Sequence, residues 1–470
     1  MFLGLGLLGL SAGIAIRAAG ATPKLGYLLI ASGAVFLALR RGRVLPSLGL
    51  VLLGLGAGVV TAGLHSSSAS TLKGLAGRVP LCSLQARVLE HAGALGTLLA
   101  VDSLRCPEVQ LSNAGVVIVD EARSEPGSFV STRGWLLPLG DDPYDAARGR
   151  AGAAAAWHAQ EMHVIAPPNG LHAVVARHRG ALRDGLGNLD GQESALALGL
   201  TIGDTSRLEH STIDRFRSAG LSHILAVSGS NVALVLLAVG LLLRRTSQRF
   251  RLCACLGVLG LYVLVVGPDP SVLRAAMSAV VVIVAFAGGA KAHPLHALGI
   301  ALLILLSIRP QLLFAAGLHL SVAATMGILL WTGPLGQHVR FLPRRIRLGA
   351  AATLAAQIGV APVLIATFGE ISVAGPLANL LALPAVPPAT MSGLLAGSLA
   401  LADSSLGHVA AWMARPFLRW ILWVGETFGT PNWASVSLPR GWGLLAGIVL
   451  TPAVVAGVKR CTQMNREAGR

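Results

Sequence analysis

The chain has 470 residues, of which 54% are hydrophobic and only 12% are charged, and its mean hydropathy is +0.69. Soluble domains carry about 25% charged residues, so this composition excludes an ordinary soluble protein and indicates a membrane protein with many spans. The net charge of +16 lies outside residues 65–220, which hold 14 basic and 16 acidic side chains. Because basic residues collect in the cytoplasmic loops of membrane proteins, this charge is not by itself a sign of nucleic-acid binding.

Three apolar runs open the chain, at residues 1–19, 25–39 and 44–64, and each is a predicted span. Arg40-Arg41-Gly42-Arg43 follows the second run and is expected in the cytoplasm. This orientation places the N-terminus in the cytoplasm and the segment from 65 to 187 outside the cell membrane.

Residues 65–187 are the one region with the pattern of a water-soluble domain. Short strands are predicted at 83–89, 98–101, 115–119, 129–131, 135–139 and 161–165, separated by turn residues. Helices are predicted at 144–159, which is rich in Ala and Arg, and at 171–186. The pattern predicts a compact extracytoplasmic domain built as a small all-β barrel or sandwich.

The five cysteines have no metal-type spacing, and no metal or cofactor is predicted. Cys82 and Cys106 fall in the extracytoplasmic segment, where an oxidising environment favours a structural disulfide. The alternative is a pair of buried thiols. The other three cysteines lie in or beside predicted spans.

Residues 188–218 predict two amphipathic connecting helices, and residues 219–245 then form an apolar stretch long enough to span a bilayer. A polar cluster interrupts this stretch, and its members are His223, Ser228, Gly229, Ser230 and Asn231. Polar groups in hydrocarbon are costly unless they face a partner helix or water. The cluster is therefore either a packing seam with satisfied hydrogen bonds or part of a water-filled path through a broken helix.

Eight more spans are predicted, at residues 252–266, 271–287, 295–308, 312–331, 348–368, 385–402, 409–428 and 442–458. Several are short for a bilayer core about 30 Å thick, so some are expected to be broken helices. Of the 23 basic residues outside 65–220, 16 fall in loops that this topology places inside. The prediction is an all-α membrane protein with about twelve spans, a re-entrant hairpin at 371–383, a transmembrane domain at 219–460 and a cytoplasmic tail at 461–470.

Further polar residues lie within these spans, and Arg274, His319, Gln357 and Asn379 are the main ones. For any single residue, a hydrogen bond between helices is an ordinary role. As a set, they predict a polar interior shared by several helices. The sequence has no nucleophile elbow, phosphate-binding loop or dinucleotide fingerprint, so no catalytic residue is assigned and the protein is not predicted to be an enzyme.

A series of motifs occurs in order along the chain. The strongest is G-L-S-H-I-L-A-V-S-G-S-N-V-A-L-V at 220–235, preceded by L-G-L-T-I-G-D at 198–204. Downstream come P-S-V-L-R-A-A-M at 270–277 and R-P-x-x-L-F at 309–314, with G-L-H-L-S at 317–321. The last two are A-A-Q-I-G-V-A-P-V-L-I-A-T-F-G-E-I-S at 355–372 and P-L-A-N-L-L-A-L-P at 376–384. In this order, the segments resemble those of the ComEC-type competence family of inner-membrane DNA-uptake channels.

This resemblance implies a channel that passes single-stranded DNA across the cytoplasmic membrane during natural transformation. It implies membrane lipid, a cytoplasmic helicase-type motor and a surface DNA receptor as partners. From the polar residues of the spans we expect the DNA path to be a water-filled route lined by His223, Ser228, Gly229, Ser230, Asn231, Arg274, His319, Gln357 and Asn379. The alternative is a transporter of another large or anionic substrate that keeps the competence fold without DNA uptake.

The resemblance also implies an OB-like barrel within residues 65–187, because L-G-D-D-P-Y-D-A-A-R at 139–148 is similar to a segment of the family's extracytoplasmic domain. OB-folds bind single strands with stacking aromatics and a basic groove. Here residues 65–220 are slightly acidic. They hold only five aromatic residues, Phe129, Trp135, Tyr144, Trp157 and Phe216. Family members often have a further metallo-β-lactamase-like domain; since the sequence stops at Arg470, no nuclease activity is carried over.

Overall fold

A computed structural model describes residues 69–78, 81–91, 96–107, 109–120, 124–140, 145, 148–149, 152–225, 227–290, 293–443, 445–447 and 449. The three predicted N-terminal spans, most of the predicted span at 442–458 and the tail lie outside these residues. The described chain divides into two compact units. One contains the residues up to Arg177 and Val263–Ala315, and the other contains His178–Tyr262 and the residues from Ala316 onward.

A closed five-stranded barrel lies in the first unit. Helix α1 and the strands are α1 Ala69–Leu75, β1 Cys82–His91, β2 Thr97–Arg105, β3 Gln110–Val119, β4 Phe129–Leu137 and β5 Ala155–Ala166. Their order around the barrel is β1-β2-β3-β5-β4, and β4 pairs back onto β1. The β3–β5 pair is parallel and the other four are antiparallel.

Buried and outward-facing residues alternate along β1 and β4, and the buried ones fill the barrel interior. In β1 the even-numbered residues from Cys82 to Val88 are buried, while the odd-numbered ones from Ser83 to Leu89 face outward. Trp157 is 1% exposed, and its indole N–H donates to Thr132 Oγ1 at 3.1 Å. This bond satisfies the one polar atom of the largest core side chain.

The predicted helix at 144–159 is wrong in its second half, because β5 begins at Ala155. Ala155 and Ala156 pair with Val117 and Ile118 of β3, and this parallel ladder closes the barrel. Tertiary pairing has overridden the helix propensity of an alanine-rich segment. The two short strands predicted at 129–131 and 135–139 are one continuous strand, β4.

Two covalent or ionic contacts fix the barrel ends. Cys82, the first residue of β1, is disulfide-bonded to Cys106, which directly follows β2. Arg148, 6% exposed, forms ion pairs with Asp120 after β3 and with Asp145 at 3.5 Å. Burial lowers the pKa of the Arg148 guanidinium below its ordinary value. The segment at 139–148 thus ties the loop before β5 to the end of β3.

Helices form the rest of the described chain. They are α2 Gly170–Gly185, α3 Gly191–Ile202, α4 His210–Ser218, α5 Ser222–Leu225, α6 Gly229–Leu242, α7 Gln248–Val266, α8 Pro270–Ala287, α9 Pro294–Ile308, α10 Ala316–His338, α11 Arg344–Phe368, α12 Gly375–Ala382, α13 Val386–Ala400 and α14 Ser404–Gly429. A 3-10 helix, Pro310–Phe314, precedes α10. Strands β6 Glu370–Ser372 and β7 Ser435–Ser437 pair in antiparallel fashion.

Four described helices are long and apolar enough to cross a membrane: α7, α8, α10 and residues Ile346–Phe368 of α11. The pair α12 and α13 makes a fifth if it counts as one span, and it is bent by 49° at the break between its helices. Such a bend fits a broken span or a re-entrant loop, so the hairpin at 371–383 stays a prediction. The total of about twelve spans also stays a prediction, since α6 and α9 are shorter.

Helices α10 and α11 pack through glycines that leave no space between the two backbones. A Cβ on Gly327 would lie 2.3 Å from the carbonyl oxygen of Ala355, and one on Gly359 would lie 2.5 Å from that of Ala323. Each helix therefore presents Ala and Gly four residues apart to its neighbour. Small residues at this spacing let membrane helices approach closely. The resulting van der Waals contacts stabilise the pair, because the hydrophobic effect does not drive helices together within lipid.

We expect Gly327→Ala to lower the free energy of unfolding by about 1–3 kcal/mol, because the new methyl group would overlap the opposite backbone. The matched control is Gly333→Ala on the same helix, where a Cβ would have no neighbour within 4 Å. Thermal unfolding of each purified variant in detergent, compared with the wild type, measures the change in stability. Equal melting temperatures for the two variants would contradict the glycine contact.

We expect Cys82→Ser to destabilise the barrel by about 3 kcal/mol, because the bond closes a loop of 24 residues in the unfolded chain. Maleimide labelling of the denatured protein without reductant counts the free thiols. Three of the five cysteines should react in the wild type and four in the variant. Five reactive thiols in freshly purified wild-type protein would rule the disulfide out.

Candidate functional site

Gly220 lies in the tight turn between α4 and α5, and three parts of the second unit meet there. Its backbone has φ +69°, a left-handed conformation that favours glycine. A Cβ at this position would lie 2.9 Å from Ser372 Cβ and 3.1 Å from Gly375 Cα. Both the conformation and the packing therefore require a glycine.

Hydrogen bonds join this turn to β6 and α12. Asn379, 5% exposed, donates from Nδ2 to the carbonyl oxygens of Gly375 at 2.8 Å and Gly220 at 3.2 Å. Ser372 Oγ donates to the Ser218 carbonyl at 2.7 Å. The ring of His223, on α5, lies close to the same Gly220 carbonyl that accepts from Asn379.

Gln357 of α11 completes the group. A Cβ on Gly375 would lie 2.1 Å from Gln357 Nε2, so the carboxamide rests directly on the Gly375 backbone. We call Gly220, His223, Gln357, Ser372, Gly375 and Asn379 the Gly220 cluster. Two of its buried atoms, Gln357 Oε1 and Asn379 Oδ1, have no hydrogen-bond partner among the described residues. Each such atom costs about 1–3 kcal/mol, so the cluster has acceptor capacity for water or a ligand.

The predicted break in the stretch 219–245 lies between α5, which ends at Leu225, and α6, which begins at Gly229. Ser228 precedes α6 in an extended conformation, and no side-chain hydrogen bond caps the helix. Its hydroxyl lies 2.5 Å from that of Ser230. With 14 residues, α6 is about 21 Å long, well short of the hydrocarbon core of a bilayer.

Asn231 forms a second buried polar group with α3 and α7. It is 2% exposed, and its Nδ2 donates to the Leu200 carbonyl at 3.0 Å. Its side chain also lies near that of Tyr262 on α7, and neither Asn231 Oδ1 nor the buried Tyr262 hydroxyl has a hydrogen-bond partner within the described part of the chain. The break therefore separates His223, in the Gly220 cluster, from Asn231, which belongs to this second group.

An ion-pair cluster holds α3, and with it Leu200, against α14. Glu193, 5% exposed, accepts from Arg415 Nε at 3.0 Å and from Arg419 Nε at 2.5 Å, and Asp190 pairs with both arginines. A buried carboxylate is tolerated only with such partners. The Arg415 guanidinium holds the pKa of Asp190 below its ordinary value. Asp190 therefore stabilises the fold above about pH 4, and this contribution is lost as the pH falls below that range.

Two predicted site residues, Arg274 and His319, are not members of the Gly220 cluster. Arg274 is 8% exposed on α8 and belongs to the first unit, whereas the Gly220 cluster belongs to the second. His319 lies on α10 with an exposed side chain, and the contacts described above are made without it. The structure thus brings together three of the predicted site residues, His223, Gln357 and Asn379.

Sequence reasoning missed Gly220, Ser372 and Gly375 as site residues. Gly220 opens G-L-S-H and Ser372 closes F-G-E-I-S, so both lay inside the family segments without being assigned a role. Nothing local predicts the Glu193 pairs, because Arg415 is 222 positions away. Among the described residues, no three His, Cys, Asp or Glu side chains are grouped so that they could hold a metal ion.

Comparison with known proteins identifies the family. Residues 200–460, more than half of the chain, match the family model described as Competence protein. ComE operon protein 3 of Bacillus subtilis (strain 168) is 27% identical over 234 residues, which cover 48% of this chain and 29% of that protein. The chain therefore matches less than a third of the length of this relative, and no solved structure matches it. The resemblance found in the sequence is confirmed, and the chain belongs to the competence protein family.

Proposed function

We propose that this protein is a channel that passes single-stranded DNA across the cytoplasmic membrane during natural transformation. The observation that carries the proposal is the Gly220 cluster, in which three family segments meet. Asn379 and Gly220 are 159 positions apart and Gln357 comes from a third segment, yet all three lie around one carbonyl and one glycine backbone. Shared packing of this kind supports a common site better than any single polar residue does.

The chemistry of the cluster suits weak binding of a polar chain. Gln357 and Asn379 offer neutral amide oxygens without partners, and His223 adds an exposed imidazole. A DNA strand carries one negative charge per nucleotide, and a strongly basic lining would bind it rather than let it pass. We infer that neutral groups hydrogen-bond bases, sugars and water in turn, without preference for sequence.

The broken helix adds a second element of the proposed path. The first N–H groups of a helix have no partner within the helix, and they lie at its positive end. Ser228 leaves those of α6 without a side-chain cap, so Gly229 and Ser230 offer backbone donors for passing phosphates. Asn231 then anchors α6 to α3. In the same proposal, Arg274 offsets phosphate charge and His319 contributes a polar ring.

We infer that the barrel is of the OB type and lies outside the cytoplasmic membrane. Its five strands close with β5 between β3 and β4, as in a small Greek-key barrel. The Cys82–Cys106 bond fits an oxidising compartment. A multi-pass topology with both termini in the cytoplasm, a helicase-type motor and a surface DNA receptor complete the proposal.

Deletion of the gene in its native host tests the channel. We expect the deletion strain to take up no labelled DNA into a nuclease-resistant cytoplasmic pool, and the wild-type gene to restore uptake. Undiminished transformation by purified DNA would reject the proposal. It would favour the alternative, a transporter of another large or anionic substrate.

We expect Gln357→Met to reduce DNA uptake about tenfold, because the loss of one polar contact along the path is worth about 1.4 kcal/mol. The same change should leave the melting temperature equal or higher, since it removes a buried oxygen without a partner. Thr390→Val is the matched control, because Thr390 Oγ1 is also buried without a partner but lies outside the cluster. Uptake as high in Gln357→Met as in Thr390→Val would remove the cluster from the path.

A further inference from the structure

Two arginines of the barrel, Arg105 and Arg133, line one cavity. In the strand register, Ser83 of β1 is paired with Arg105 of β2 on one side and with Arg133 of β4 on the other. Strands lie about 4.8 Å apart, so the two arginine backbones are about 10 Å apart with the serine between them. Both arginine side chains are exposed, and no ion pair to either is formed within the described residues.

These three residues line a cavity of about 280 Å³ beside the Cys82–Cys106 disulfide. The disulfide joins the strand ends that carry Ser83 and Arg105, which fixes this edge of the cavity. We call the cavity the Arg105–Arg133 pocket. The Ser83 hydroxyl donates to the Arg105 carbonyl at 3.4 Å, so the two guanidinium groups are the donors that this space offers. Paired guanidinium groups suit a phosphate group, which accepts several charge-assisted hydrogen bonds.

Over residues 65–187 the 11 acidic side chains balance the 11 basic ones, and three of the described acidic residues approach side chains other than the pocket arginines. Asp120 and Asp145 pair with Arg148. Glu161 is paired with Arg133 in the β4–β5 register, but its carboxylate approaches His163, with Oε2 3.6 Å from Nε2. The net charge of the segment therefore concealed a basic face.

Aromatic side chains flank the arginines on the same outer face. Trp135, two residues beyond Arg133 on β4, is 39% exposed, and its ring centroid lies 5.8 Å from that of His158 on β5. At the other end of β4, the Arg87 guanidinium lies 4.6 Å from the centre of the Phe129 ring. Exposed rings beside cations are the elements with which proteins bind unpaired bases and their phosphates.

We propose that the Arg105–Arg133 pocket holds a phosphodiester group of single-stranded DNA while a neighbouring base stacks on Trp135. This inference rests on the proposed function, which makes DNA the substrate, and it adds a capture site on the outer barrel wall. An anionic lipid headgroup offers the same phosphate chemistry. The exposed Trp135–His158 pair favours the nucleic acid, because a headgroup has no base to stack.

The test uses the full-length protein in detergent and a fluorescent oligothymidylate of about 15 nucleotides, within the site size of one OB-fold. The double variant Arg105→Gln/Arg133→Gln should raise Kd at least tenfold in about 0.1 M salt. It should also reduce the slope of log K against log salt by about 0.7, since the one phosphate that the pocket holds is no longer neutralised. The control, Lys73→Gln/Arg177→Gln, removes two exposed charges that do not line the pocket, and it should retain the wild-type Kd and slope.

Two further variants separate the parts of the site. Trp135→Leu should weaken binding about tenfold without changing the salt slope, because stacking releases no counterions. Glu161→Gln should tighten binding about twofold by removing the carboxylate paired with Arg133 in the register.

Wild-type Kd and slope in the double variant would overturn the proposal. So would normal oligonucleotide binding combined with lost binding to phosphatidylglycerol vesicles, which would assign the pocket to a lipid headgroup. The gene deletion tests the channel in cells, whereas this measurement uses purified protein, so failure of one is distinguishable from failure of the other.

Discussion

The lack of space around Gly220 is the constraint on which the transmembrane site depends. The Ser372 side chain and the Gly375 backbone approach so closely that no side chain fits at Gly220, and its positive φ excludes most residues independently. This close approach gives the Asn379 amide access to two backbone carbonyls at once. Because Gly375 also has no Cβ, the Gln357 amide reaches the same place. Backbone contacts therefore set the positions of the proposed polar lining.

A second constraint is electrostatic and acts through α3. Glu193 is nearly inaccessible to water, and its two arginine partners come from α14. The two arginine side chains are 31% and 59% exposed, so water screens these contacts in part, but together they hold α3 against α14. The Leu200 carbonyl at the end of α3 then orients Asn231. Buried atoms without partners nonetheless persist at Gln357, Asn379 and Asn231. Groups that reduce stability in a well-packed region are expected where function requires them.

The sequence predicts well the features that rest on periodicity and poorly those that rest on distant contacts. Apolar runs located α7 and α8 within a few residues. Short β-type runs between turn residues located part of each of the five barrel strands. The alanine-rich segment before Trp157 was misassigned because pairing with β3, about 40 positions earlier, decides its structure. Gln357 and Asn379 were found as polar residues among apolar ones. Their contact with one another around Gly220 and Gly375 was not predictable, since the local pattern of one segment carries no information about which distant segment packs against it. The net charge of the barrel segment did not predict the Arg105–Arg133 pocket for the same reason. A net charge does not show which strand face carries each arginine.

The two proposed DNA contacts differ in strength for a physical reason. Capture from solution must compete with salt, and paired guanidinium groups with an exposed aromatic ring provide a charge-dependent site. Passage requires the opposite, because each nucleotide must leave as readily as it enters. The neutral amides of Gln357 and Asn379 suit passage, whereas the charged side chains of Arg105 and Arg133 suit capture from solution. In this proposal, Arg105 and Arg133 of the barrel bind incoming DNA, and the uncharged oxygens of the Gly220 cluster let it pass. On this argument, a more basic cluster would increase affinity for DNA and reduce the rate at which DNA passes.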